Sequence, residues 1–478
     1  MTTVADVLVD GLVRAGTARV FVVDGDRDAE SLGDSIALRL PVLRVSGADV
    51  ACVMAAVSGA LSGAPGAAVI GRELDGTAGG LAYASVERAP VIVINSGASV
   101  AALIAEGAMK AVLTVTPESA AHRIAHGCQL AMKEPWGPVR LDVLPAMVTV
   151  PALPVATSCR PAPLAAPDAA TLDAAVRLLE ASERPLIVVG RLCRSAAEAA
   201  WVRPFAEARP APVLATAAGR GVVPDPHPLV IGSLDAGQAE RTLLADADLV
   251  VAVGLDPVEV RQASWSKPLL ELTPVAPESP PHDRVVVVGD IGSILEELAP
   301  RLRDRRLAEW NVARLHALKQ AASAPPAAPR PLGAFRVVEA ARRLTPAGTL
   351  GVFEHGDAWR EAARAWQALA PHECLISSEP ATEGFAVVAA AAALLASPGR
   401  RVVCFTEARA IRRAPQHLAT VAALGVPVPI VVADGGASPP ALPVSLRRFT
   451  APSIAEFAGL FDSALAAGTP AVLAVAGL

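Results

Sequence analysis

The chain has 478 residues, a formal net charge of −5 and a mean hydropathy of +0.43, with 53% hydrophobic and 19% charged residues. That length is too great for one ordinary core, and the composition excludes a disordered chain, so several packed domains are expected. The acidic balance, the lack of any basic run beyond pairs such as Arg412 and Arg413, and an aromatic content of 3% exclude the footprint of a nucleic-acid binder.

In chain order, the opening "MTTVADVLVDGLVRAG" reads as a helix. Asp6, and the absence of a basic segment ahead of the apolar residues, argue against a signal peptide, so a cytoplasmic location is expected. Strands "RVFVV" and "VLRV", helix "DVACVMAAVSGALSG", strand "GAAVIG", helix "GGLAYASVERA" and strand "VIVIN" follow, closing on "WGPVRLDV". Pro-rich stretches at 144–168 and 323–333 read as linkers. Between them a second α/β unit runs from helix "AATLDAAVRLLEAS" through strands "PLIVVG", "PVLAT", "LVVAVG" and "RVVVVGD". Gly190 and Gly254 end apolar strands as a doubly wound sheet ends before a ligand crevice, although no GxGxxG or GxxxxGK[ST] motif accompanies them.

The third block, from about 331, opens with helix "GAFRVVEAARRL". Its run "GFAVVAAAAALLAS" at 384–397 is too short to span a bilayer, and no membrane association is expected. Strand "RVVCF" then leads into a polar turn, "TEARA", a helix, "QHLATVAAL", and a second strand, "VPIVV", that stops at "ADGG". Six cysteines lack CxxC or CxxH spacing, which predicts buried free thiols instead of a zinc site or a disulfide framework. The expected class is α/β, with three doubly wound parallel-sheet domains over 1–150, 160–322 and 331–478.

The order of these pieces resembles the thiamine diphosphate (ThDP)-dependent enzymes of the acetolactate synthase and pyruvate decarboxylase family. The resemblance rests on "VADVLVDGLVRAGTARVFVVDG", on "GRGVVPDPHP" followed by "LVIGSLDAGQAERTLLADADLVVAVG", and on "PATEGFAVVAAAAALLASPGRRVVCFTE". It implies a pyrimidine-binding-like first domain, a central domain and a diphosphate-binding-like third domain. It also implies a homodimer or tetramer, because the family's cofactor sits between two chains, its pyrimidine on one and its diphosphate on the other.

The motifs that serve the cofactor depart from the family pattern. Aligning "VSGADVACVMAA" on Met54, Ala55 and Ala56 puts Ala48 at the family's catalytic glutamate and Gly47 at its histidine. A methyl group relays no proton. Asp49 projects about 100° away on a helix and reads as a solvated first-turn carboxylate. Asp24 stands where the family has proline, and Arg72 and Glu73 fall in its glycine-rich loop. In the third domain, Glu407, Ala408 and Arg409 replace the Gly-Asp-Gly turn that holds Mg²⁺, and Asp434 and Gly435 replace the Asn-Asn pair, leaving Asp434 as a weak metal-ligand candidate. Glu383 replaces the apolar residue beneath the cofactor's bend, where a carboxylate needs water or a cation such as a nearby arginine. The segment that forms the family's lid is shortened to "ASPPALPVSLRRFTAPS".

Three readings stand at this point. The first is a non-catalytic or ThDP-independent homologue, with no cofactor expected, acting as a homo-oligomer or beside a motif-intact ThDP-enzyme subunit. The second is an active ThDP- and Mg²⁺-dependent 2-oxo acid lyase or carboligase. The third is a repurposed enzyme using the pocket positions Glu354, His355, Asp357, Glu383, Glu407 and Arg409 for another ligand. His355, in "FEHGDAW", reads more simply as a hydrogen-bonded loop residue than as a base.

Overall fold

A computed structural model describes residues 2–71, 78–97, 108–234, 237–260, 265–277, 284–302, 308–327, 329–377, 383–433 and 446–476. It contains three six-stranded sheets, all parallel in their described pairings, with helices between the strands, and so forms three α/β domains. By internal contact the chain divides into two units. One comprises Met1–Ala162, Gly351–Arg360 and Ser377–Leu478; the other comprises Pro163–Leu350 and Glu361–Ile376.

The first sheet contains β1 (Val20–Val23), β2 (Val42–Val45), β3 (Gly66–Ile70), β4 (Val91–Asn95), β5 (Ala111–Val115) and β6 (Pro138–Val143) in the order β2-β1-β3-β4-β6-β5. The four inner strands β1, β3, β4 and β6 are buried along their whole length, as continuous Val/Ile runs covered on both faces should be. β5 alternates exposure and burial at the sheet edge and is followed by α5 (Ala120–Met132); neither element was expected between "VIVIN" and "WGPVRLDV". β5 reads Ala-Val-Leu-Thr-Val, yet of its five residues Val115 alone is fully buried, as suits an edge strand with one covered face. Part of the Pro-rich stretch after β6 is tied down: Val148, Val155 and Cys159 enter the first core, and Arg160 Nε donates to the Ala15 carbonyl at 3.0 Å.

The central sheet contains β7 (Pro185–Val189), β8 (Val213–Ala215), β9 (Val230–Ser233), β10 (Leu249–Val253), β11 (Leu269–Thr273) and β12 (Val285–Val288) in the order β12-β11-β10-β7-β8-β9. The chain winds outward in both directions from β7 and β10, so the switch-point crevice opens above their carboxyl ends. The stretch 361–376 belongs to this unit. Arg220, about 10% exposed in its side chain, holds it by donating to the Ala363 carbonyl at 2.8 Å while pairing with Asp225 at 2.6 Å.

The third sheet contains β13 (Leu350–Phe353), β14 (Cys374–Ile376), β15 (Val402–Glu407), β16 (Pro429–Ala433), β17 (Arg447–Ala451) and β18 (Ala471–Val475) in the order β14-β13-β15-β16-β18-β17. This repeats the winding of the first sheet strand for strand. The helices before the third strand of each, α3 (Ala48–Ser62) and α13 (Phe385–Ala396), therefore hold equivalent places, and they pack against each other. Their near-continuous burial explains the Ala/Val/Gly composition: small side chains let two backbones approach with neighbours on every side. All six cysteines are buried and free.

Candidate functional site

Ala48 is the first residue of α3 and is 5% exposed. With Val23, Asp24, Gly25, Asp26, Ser46 and Gly71 it lines a cavity of about 110 Å³ at the carboxyl ends of β1 and β3, the switch point of the first sheet. The carboxylates at this cavity have partners. Asp26 caps the helix α2 (Arg27–Ala37), accepting from the N–H groups of Asp28 and Ala29 at 3.0 Å, and Arg44 reaches Asp24 at 3.8 Å.

Asp49 lies in the first turn of α3, one of the two plain readings of it, but it is not solvated. It is half-buried and accepts the N–H of Gly80 in the first turn of α4 (Ala78–Val86), supplying that helix with a cap from a neighbouring helix. Burial pushes its pKa up to about 6, against the opposing pull of that hydrogen bond. Gly80 is required for the approach, since a Cβ there would lie 2.7 Å from Cys52 Cβ and 2.8 Å from the Asp49 carbonyl. Arg72 and Glu73 lie outside the described residues.

In the third domain the "TEARA" segment is not a turn. β15 runs to Glu407, and the helix α14 (Ala408–Arg413) begins at the next residue. Ala408, Ala410 and Ile411 are buried, and this apolar side binds the helix to the sheet. Arg409 and Arg413 extend to solvent, each more than half exposed, and both address Glu383. The Arg409 Nη2 to Glu383 distance is 3.7 Å, and Arg413 Nη1 pairs with the same carboxylate oxygen. Glu383 is thus both open to water and paired with arginine. Arg413 was missed in the sequence because only its helical spacing from Arg409 brings it to the same side.

Glu354 follows β13 and is 3% exposed. Thr406 Oγ1 donates to it at 2.7 Å, and the N–H groups of His355 and Ala386 donate as well. Burial raises its pKa to about 7, and the charge of Glu407 adds to that rise. His355 Nδ1 lies 3.3 Å from the Ser377 carbonyl, in keeping with the plainer reading of that residue. Asp357 opens α12 (Asp357–Ala363), where its side chain is almost fully exposed and pairs with Arg360 at 3.0 Å. Asp434 and Gly435 lie outside the described residues.

Two further residues carry no motif. His417, buried in α15 (Pro415–Leu424), places Nδ1 3.1 Å from the Gly384 carbonyl; because a carbonyl only accepts, that nitrogen carries the proton. Burial lowers its pKa. Thr420 of the same helix meets Ser46 at 2.6 Å between hydroxyl oxygens, which ties the start of α3 to the third domain.

These residues do not fit a Mg²⁺-diphosphate group. Ala408, which the resemblance sets at the metal-ligating aspartate, is a buried methyl at the start of a helix with an ion pair beside it, and Glu407, which a one-residue shift would set there, ends β15 with no glycine on either side. Among the described residues, no group of three or more His, Cys, Asp or Glu is placed to hold a metal ion.

Comparison with known proteins gives two family models: "thiamine pyrophosphate enzyme, N-terminal TPP binding domain" over residues 2–122 and "thiamine pyrophosphate enzyme, central domain" over 172–298. The chain is 25% identical over 313 residues to acetolactate synthase isozyme 1 large subunit of Escherichia coli (strain K12), covering 63% of this chain and 55% of that protein. It is 30% identical over 288 residues to acetolactate synthase large subunit of Parasynechococcus marenigrum (strain WH8102), covering 55% and 45%. With the catabolic acetolactate synthase of Raoultella terrigena the identity is 25% over 436 residues, covering 84% and 77%. The chain thus spans about half the length of the first two relatives.

Proposed function

The chain belongs to the ThDP-dependent enzyme family of the acetolactate synthase and decarboxylase type, and from that premise we propose that it is a non-catalytic, ThDP-independent homologue. The observation that carries this reading is the direct passage of β15 into α14. Backbone N–H groups at a helix start can still face a diphosphate, but its metal needs carboxylate or carbonyl oxygens. The start of α14 offers a buried methyl, Ala408, and the side chains of Arg409 and Arg413 paired with Glu383. Ala48 supports the same reading from the first domain, because nothing at that position can hydrogen-bond an aminopyrimidine ring. On this reading the chain assembles as a dimer or tetramer and works as a structural or regulatory subunit, alone or with a motif-intact relative.

Calorimetry of the purified chain with ThDP and Mg²⁺ tests the proposal. No binding heat is expected up to millimolar ThDP. Saturable Mg²⁺-dependent binding, with CO₂ release from a 2-oxo acid, would make it an active lyase or carboligase instead.

A further inference from the structure

The central domain holds a receptor that the cofactor reading leaves unused. At the switch point between β7 and β10, Gly190 and Gly254 bring two loops together; a Cβ on Gly190 would lie 2.6 Å from the Gly254 carbonyl and 2.7 Å from Glu259 Oε2. Glu259 lies in a single 3-10 turn, Pro257–Val260, and its side chain is 4% exposed. Three hydrogen-bond donors and a guanidinium converge on its carboxylate. The N–H of Arg191 reaches Oε2 at 2.9 Å, and the N–H of Asp256 reaches the same oxygen at 3.1 Å. Thr216 Oγ1 lies 2.5 Å from Oε1, and Arg191 Nε stands 3.5 Å from Oε1. The direction of the threonine bond follows from its other contact: the Gly219 N–H donates to Thr216 Oγ1 at 3.0 Å, which leaves the hydroxyl proton for Glu259.

We propose that this crevice is a carboxylate-binding site held shut by the chain's own Glu259, which occupies it as a tethered ligand. Two backbone donors address one oxygen, while a hydroxyl and a guanidinium address the other, matching a planar carboxylate on both of its oxygens. The Arg191 N–H and guanidinium and the Thr216 hydroxyl are set by the ends of β7 and β8, apart from the turn that carries Glu259, whereas the Asp256 N–H belongs to that turn itself. The position is also where open α/β sheets take ligands. The internal carboxylate is present at an effective concentration that a free small acid cannot match, so the native chain excludes small organic acids from it.

The test uses the full chain and acetate as probe. Glu259→Ala removes the internal carboxylate and keeps the three donors and the guanidinium; Glu259→Gln keeps the crevice filled. Melting is followed in sodium acetate and sodium chloride at matched ionic strength. Acetate is expected to raise the Tm of Glu259→Ala by about 2 °C or more over chloride and to leave the wild type and Glu259→Gln unmoved. Equal Tm values for Glu259→Ala in the two salts, or the same acetate shift in the wild type, overturn the proposal. If Glu259→Ala is not recovered folded, its refolding yield from urea gives the same contrast: a higher yield in acetate supports the site, and equal yields overturn it.

Discussion

Glu354 shows how much a single carboxyl can cost when a fold keeps it buried. In water it would ionise near pH 4.5; at the end of β13, burial and the nearby Glu407 raise its pKa to about 7. The folded chain therefore binds this proton more tightly than the unfolded chain does. Its contribution to stability is complete below about pH 4.5 and is lost as pH rises through 7. A shift of that size corresponds to roughly 3 kcal/mol. Asp49 acts in the same direction but over a lower window, between its ordinary value of 3.8 and about 6. Glu354→Gln retains an oxygen that accepts from Thr406 and removes the ionisation. Urea unfolding at pH 5, 6.5 and 8 is expected to show the wild type losing stability throughout, most of it between pH 5 and 6.5, with the variant losing less over that interval and nearly flat from 6.5 to 8. A wild-type curve that gains stability from pH 6.5 to 8 would contradict the assignment.

At the scale of elements, the join between α13 and α14 separates a strong constraint from a weak one. Gly384 caps α13 with φ +76°, and a Cβ there would lie 2.8 Å from the ring nitrogen of buried His417. Gly384→Ala therefore meets both backbone strain and a clash, and a loss of about 2 kcal/mol or more is expected in chemical denaturation. Glu383→Gln, one residue earlier, breaks an ion pair whose members are well exposed, and its effect is expected to stay within about 1 kcal/mol. Equal losses for the two variants would mean that the ion pair, and not the glycine, sets the start of α13. The segment that follows was misread from sequence for a related reason. Thr406, Glu407 and Arg409 look like turn residues, but burial of Ala408, Ala410 and Ile411 decides the conformation, and a six-residue helix is too short to show a period. The flanking strands were legible because "RVVCF" and "VPIVV" are buried on both faces.

Across the whole molecule, three parallel sheets could be anticipated from the alternation of apolar runs and Ala-rich helices. The strand-for-strand repetition of the first sheet in the third could not, because their side chains share little pattern and only the hydrogen-bonded order reveals it. That repetition matters for the proposed loss of function, since the family's cofactor uses one wall from each of the two repeated domains. On the proposed reading both walls have changed: α3 begins with Ala48 beside a cavity of about 110 Å³, and α14 begins where the resemblance sets the diphosphate turn. Repairing one wall would then leave the other unable to bind. In Ala48→Glu the new carboxyl would enter the cavity lined by Asp24 and Asp26, where like charges raise its pKa and the space removes the need for repacking. The variant is expected to fold and still to give no heat with ThDP and Mg²⁺, because the affinity for the diphosphate end lies in the third domain. Saturable Mg²⁺-dependent binding by Ala48→Glu would show that the β15–α14 junction tolerates the cofactor and that loss of the glutamate alone had silenced the chain.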